Sequence, residues 1–147
     1  MDVGKRQPLK ARLAQTAEAA IRQHGRVGYP HEVCGILLGR LGLPLLVLEA
    51  IPCVNANTER AADRYLLEPK EQLQVEKDAR ARGLDVVGYY HSHPDHPSKA
   101  SETDRAQSWE SLLYLILAVE NSRDTSLQGW WRDPGQGQFQ EQFFEIV

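Results

Sequence analysis

Along residues 9–23 the apolar side chains Leu13, Ala17, Ala20 and Ile21 recur at three- and four-residue spacing, the period of an amphipathic helix. Pro8 suits the first turn of that helix, and Gly25 and Gly28 read as its stop. The pattern then changes. Residues 34–38 and 45–51 are short apolar runs parted by a segment containing Gly39, Gly42 and Pro44, which predicts a hairpin. Folding it about Gly42 and Leu43 sets Cys34 roughly opposite Cys53. Residues 55–68 are polar and charged and read as a surface loop leading into 65–67. Pro69 opens a second helix through about Arg82, with Leu73 and Val75 among its few apolar positions and Gly83 as its stop. Residues 84–93 carry Val86, Val87, Tyr89 and Tyr90 and predict a strand, which Pro94 and Pro97 break into a loop. Ser101 suits the cap of a third, short helix. An apolar strand over 112–119 follows, then strands over 127–132 and 138–146. The order α-β-β-α-β-α-β-β-β predicts an α/β fold, a mixed β-sheet flanked by helices.

Composition narrows the function. The 147 residues suit one domain spanning 1–147, and 41% hydrophobic with 25% charged residues suits a packed core. A net charge of −3 lacks the basic face of a nucleic-acid binder. No apolar run is long enough to span a membrane, and the polar start of the chain lacks the apolar block of a secretory signal. A cytoplasmic location is expected. The two cysteines, Cys34 and Cys53, are too few for a disulfide framework and lack the Cys-x-x-Cys pairing of a structural zinc site. They can pair across the hairpin, although a reduced cytoplasm argues against a bond. Trp109, Trp130 and Trp131 are expected in the core.

The candidate chemistry lies in residues 91–104. On a strand, His91 and His93 point to one face with Cα atoms about 6.5 to 7 Å apart, a gap that two zinc–nitrogen bonds can close. Ser92 then faces the other way. The Pro94–Pro97 turn brings the chain back, so that Asp104 can give a third ligand and leave the fourth position to water, as in catalytic zinc sites. Glu32, at the start of the apolar run 34–38, can reach a neighbouring strand's metal and act as general base. Ser101 can steady the oxygen of the carbonyl under attack. Taken singly, each has a plainer reading. His-x-His is usually an ordinary histidine pair, Ser101-x-x-Asp104 is also a helix capping box, and Glu32 alone reads as a solvated carboxylate. His24, His31 and His96 share no evident face with His91 and His93 and are not expected as ligands.

The combination is more specific. Glu32 before Cys34-Gly35, then His91-Ser92-His93-Pro94, seven residues between His93 and Ser101, and Asp104 three positions on resemble the complete signature of the JAMM (MPN-plus) zinc metalloproteases. The segments 29–39 and 87–90 resemble the family's text around those residues, and the likeness spans roughly 9–119. The resemblance implies the cytidine-deaminase-like α/β sandwich of the MPN domain. It implies one zinc per chain held by His91, His93 and Asp104, with Glu32 as base and Ser101 at the oxyanion. It further implies hydrolysis of the peptide or isopeptide bond after the C-terminal tail of a ubiquitin-like protein. With only 43 residues after Asp104, the chain resembles the compact prokaryotic members whose substrates are sulfur-carrier proteins. Residues 55–67 are the expected wall of the channel for that tail. Two other readings stay open: a peptidase of cell-wall or phage-tail peptides, and a non-catalytic binding module that keeps zinc for structure.

Overall fold

The computed structural model describes residues 10–101, 112–132 and 138–147. Its strands are β1 (Ala11–Leu13), β2 (Cys34–Arg40), β3 (Leu45–Cys53), β4 (Asp85–Pro94), β5 (Leu113–Glu120), β6 (Arg123–Arg132), β7 (Phe139–Glu141) and β8 (Phe144–Ile146). Two helices, α1 (Gln15–Gly28) and α2 (Pro69–Ala81), complete the described elements. The strands form one mixed sheet in the order β7-β6-β5-β4-β2-β3-β1-β8. No helix among the described residues is long and apolar enough to cross a membrane.

The central strands are apolar on both faces because both are covered. Leu37, Val87, Leu115 and Leu117 pack with Ala17 and Ile21 of α1, while Ile36, Leu38, Tyr89 and Tyr114 pack with Ala79 of α2. The predicted hairpin is β2–β3, antiparallel, with Cys34 paired to Cys53. Both thiols are free and buried. Residues 69–81 form the second helix, one residue short of the predicted Arg82: Glu68 caps it by accepting from the Glu71 N–H at 2.9 Å, Pro69 opens it, and Gly83 follows with φ +72°. Trp131 is buried and Trp130 half-buried; Trp109 and the third predicted helix lie outside the described residues.

Three features of the predicted elements need correction. The first helix begins at Gln15 rather than Leu9, because Ala11 and Leu13 alternate with exposed Arg12 and pair in parallel with β3. A run this short fits both periods, and the margin of β3 supplies the partners that decide it. Gly25 lies inside α1 rather than ending it: a Cβ there would stand 2.5 Å from Leu117 Cδ2, so its bare backbone lets the helix close onto β5. The predicted final strand is two, split at Gln142, whose N–H donates to the Gly129 carbonyl at 2.7 Å.

That split reveals the shape of the sheet. β7 and β8 occupy opposite ends of the strand order, yet only Gln142 and Phe143 separate them. Glu141 and Phe144 can be at most about 11 Å apart. The ends of a flat eight-stranded sheet would stand about 34 Å apart. The sheet therefore curls until its margins nearly meet.

Gly88 begins the parallel β4–β5 pairing opposite Leu113, and a Cβ on it would lie 1.9 Å from the Leu113 carbonyl oxygen. Backbone cannot yield as a side-chain tip can. Gly88→Ala is expected to cost about 1–3 kcal/mol, read from the urea midpoint; an unchanged midpoint would refute so close an approach.

Candidate metal centre

Alternation along β4 sorts its side chains. Tyr90 packs into the core under α1, and Tyr89 into the core under α2. His91 and His93 share the face of Tyr89, and Ser92 takes the other, as its position requires. The Ser92 hydroxyl accepts from the Val33 N–H at 2.9 Å, and the Ser92 N–H donates to the Val33 carbonyl at 3.0 Å. These two bonds extend the β2–β4 pairing beyond Cys34–His91 and lay Glu32 against the histidines.

The three side chains converge. His91 Nε2 and His93 Nε2 are 3.2 Å apart, and one carboxylate oxygen of Glu32 completes a group within 4.8 Å. All three residues are buried: Glu32 is 4% exposed, His91 1% and His93 4%. Two nitrogens bound at about 2.0–2.1 Å to one tetrahedral cation stand about 3.3 Å apart, so the observed spacing fits a shared ion. His93 Nδ1 lies 2.7 Å from the Pro97 carbonyl, which can only accept; the ring proton sits there and leaves the Nε2 lone pair for a metal.

The loop over 55–67 holds the carboxylate's backbone from the opposite side. The Glu32 N–H donates to the Ala61 carbonyl at 2.6 Å, and Asn55 Nδ2 donates to the Glu32 carbonyl at 3.0 Å. The Asn55 amide also donates to the Arg64 carbonyl and accepts from the Asn57 and Leu66 N–H groups, so all four of its bonding sites are used. Tyr65 of this loop stacks on His91, with ring centroids 4.7 Å apart. Sequence reading missed Asn55 and Tyr65, because nothing in a polar loop marks which residues turn inward.

The remaining sequence-derived candidates fall as follows. Ser101 is exposed and closes the described part of the loop after β4, and Asp104 lies outside the described residues. His24 sits on the Tyr90 side, its Nδ1 2.7 Å from the Tyr90 hydroxyl, and burial lowers its pKa. His96, not expected as a ligand, lies near the pair through its ring. The chain turns at Asp95, φ +62°, and brings the exposed His96 ring to 5.1 Å from that of His93. Beside it opens a crevice of about 230 Å³, lined among others by Asp95, His96, Glu120 and Ser126. Tyr29 reaches over from the segment before Glu32, its hydroxyl donating to the Asp95 carboxylate at 2.7 and 2.9 Å.

Cys34 lies beside His91 in the neighbouring strand. Burial pushes both the Cys34 and Cys53 thiols up to about 12, with the neighbouring thiol and Glu71 adding to the rise for Cys34. A raised thiol pKa leaves little thiolate at neutral pH, and the thiolate is the reactive form. Native protein at pH 8 should resist iodoacetamide at both positions and react at both once unfolded in urea. Rapid labelling of the native chain, read by mass, would contradict this burial.

Comparison with known proteins gives the family context. The profile of a family described as prokaryotic homologs of the JAB domain matches residues 14–133. Desampylase of Haloferax volcanii is 39% identical over 114 residues, covering 74% of this chain and 80% of that protein. Deubiquitinase MYSM1 of Mus musculus is 33% identical over 90 residues, covering 61% of this chain and only 11% of that much longer protein. The crystal structure of AF2198, a JAB1/MPN domain protein from Archaeoglobus fulgidus, superposes with a TM-score of 0.58 at 16% identity, covering 93% of this chain and 96% of that one, a likeness of fold.

Proposed function

Because the chain belongs to the family of prokaryotic homologs of the JAB domain, we propose that it is a zinc-dependent metallopeptidase or isopeptidase. Its substrate is the amide bond after the C-terminal tail of a ubiquitin-like protein, the sulfur-carrier kind included. One observation carries the reading: Glu32, His91 and His93 converge within 4.8 Å in a buried centre. A carboxylate and two imidazole nitrogens facing one point are a donor set that suits a divalent cation such as zinc. The desampylase and deubiquitinase names of two relatives support the substrate class.

His91 and His93 would hold the ion through Nε2, with Asp104 as the third ligand. When bound, zinc supplies Lewis acidity and lowers the pKa of a coordinated water toward about 7. Glu32 is the proton carrier. Its carboxylate takes the water's proton and delivers it to the leaving amine, and the ties of its backbone to Ala61 and Asn55, with Ser92 holding the adjoining Val33, keep it from swinging away. Ser101 directs its hydroxyl at the carbonyl oxygen as negative charge develops there. The loop over 55–67 forms one wall of the channel in which an extended tail lies, and a tail ending in glycine lets the backbone approach closely.

Purified protein should carry about one zinc per chain. Glu32→Gln should keep the metal and lose hydrolysis by about 100-fold or more, whereas His91→Ala and Asp104→Asn should lose both. Loss of zinc from Glu32→Gln would instead make that carboxylate a ligand. A ubiquitin-like protein with a short C-terminal extension should be trimmed at the end of its tail, seen by mass, and a chelator should stop the reaction. Intact extension with the zinc-loaded protein would refute the substrate class.

A further inference from the structure

The loop that follows β4 is exposed at Asp95, His96 and Pro97, yet Ser98 is 1% exposed. Its hydroxyl donates to Gln128 Oε1 at 2.6 Å and lies 2.6 Å from the Ser126 hydroxyl, which must therefore donate to it. Gln128 Nε2 donates to Glu141 at 3.1 Å, which fixes the end of the amide that faces Ser98. The Trp130 indole N–H donates to the Ser98 carbonyl at 3.0 Å. Ser126, Gln128 and Trp130 alternate along β6 and so share one face of it, a row of three fastenings for one residue.

We infer that Ser98 is a positioning residue for the metal centre: held by β6, it aims the Pro97 carbonyl that sets the tautomer of His93. The link is covalent geometry. The Pro97 carbonyl and the Ser98 nitrogen belong to one planar peptide unit, so anchoring Ser98 leaves only rotation about its N–Cα bond to redirect that carbonyl. The carbonyl then holds the proton on Nδ1 at 2.7 Å and keeps the Nε2 lone pair directed toward His91 Nε2. An outer partner of this kind makes a ligand more basic and spares it a choice of ring orientation on binding. The inference rests on the zinc reading for its effect on affinity, while its effect on the tautomer stands apart from it.

Ser98→Ala and Trp130→Phe break the network at different points and leave every proposed ligand in place. Circular dichroism and thermal melting identify which variants fold, and Trp130→Phe, which keeps an aromatic side chain and removes the indole N–H, serves if Ser98→Ala does not fold. In each folded variant, zinc affinity measured by competition with a chromophoric chelator should fall about 10- to 100-fold. In the metal-free state, ring 15N shifts of His93 should move from the Nδ1-protonated pattern toward a mixture of tautomers. A folded variant with parental affinity and an unchanged His93 tautomer overturns the inference. A parent protein that binds no zinc sinks the metal reading instead, and the tautomer shift still decides the role of Ser98.

Discussion

The antiparallel pairing of β2 with β4 is the constraint on which the centre depends. Cys34 pairs with His91, and continuing that register two positions sets Glu32 opposite His93. Glu32 precedes the formal start of β2, so the continuation needs its own fastening, and the two Ser92–Val33 bonds provide it. Side chains alternate with a period of two, so a slip of one residue would turn the histidines into the core beneath α1 and bring Tyr90 and Ser92 to the site. Hydrophobic burial of Ile36, Leu37 and Leu38 on both faces makes such a slip expensive.

Polar groups at the centre are arranged in layers, each directed by the next. Glu32 is held through its backbone by Ala61 and Asn55, and Asn55 is itself saturated by its own loop. His93 is directed by Pro97, with Ser98 beside it tied to β6. His91 carries Tyr65 on its ring face. Loops supply these groups, but in each case a strand or a fully bonded amide fixes the loop.

Much of this was legible in the chain, and the parts that were not share a cause. His91 and His93 could be read because period-two geometry is local and needs only a strand. The Cys34–Cys53 pairing could be read because a hairpin's turn fixes its register. Ala11–Leu13 could not be assigned, because three residues satisfy helix and strand periods alike and a distant partner decides. Gly25 was misread because a helix-stopping glycine and one that lets a helix approach a sheet look the same without Leu117. The ring contact of His96 with His93 depends on the backbone at Asp95 and does not bear on its expected absence from the ligands, and the Asn55 amide bonds backbone atoms, which leave no trace in side-chain identity. The family resemblance, carried by residue types at fixed spacing and by the segments around them, agrees with the JAB profile over residues 14–133.

The curl that draws β7 and β8 together restricts how an extended peptide can join this molecule. Each outer rim of the sheet is a strand of only three residues, too short a rail for a visitor to run along. The inner strands already pair with a neighbour on each side, so their backbone groups are engaged before any visitor arrives. Closure of the sheet thus leaves little unpaired backbone along its margins, which guards the molecule against edge-to-edge association.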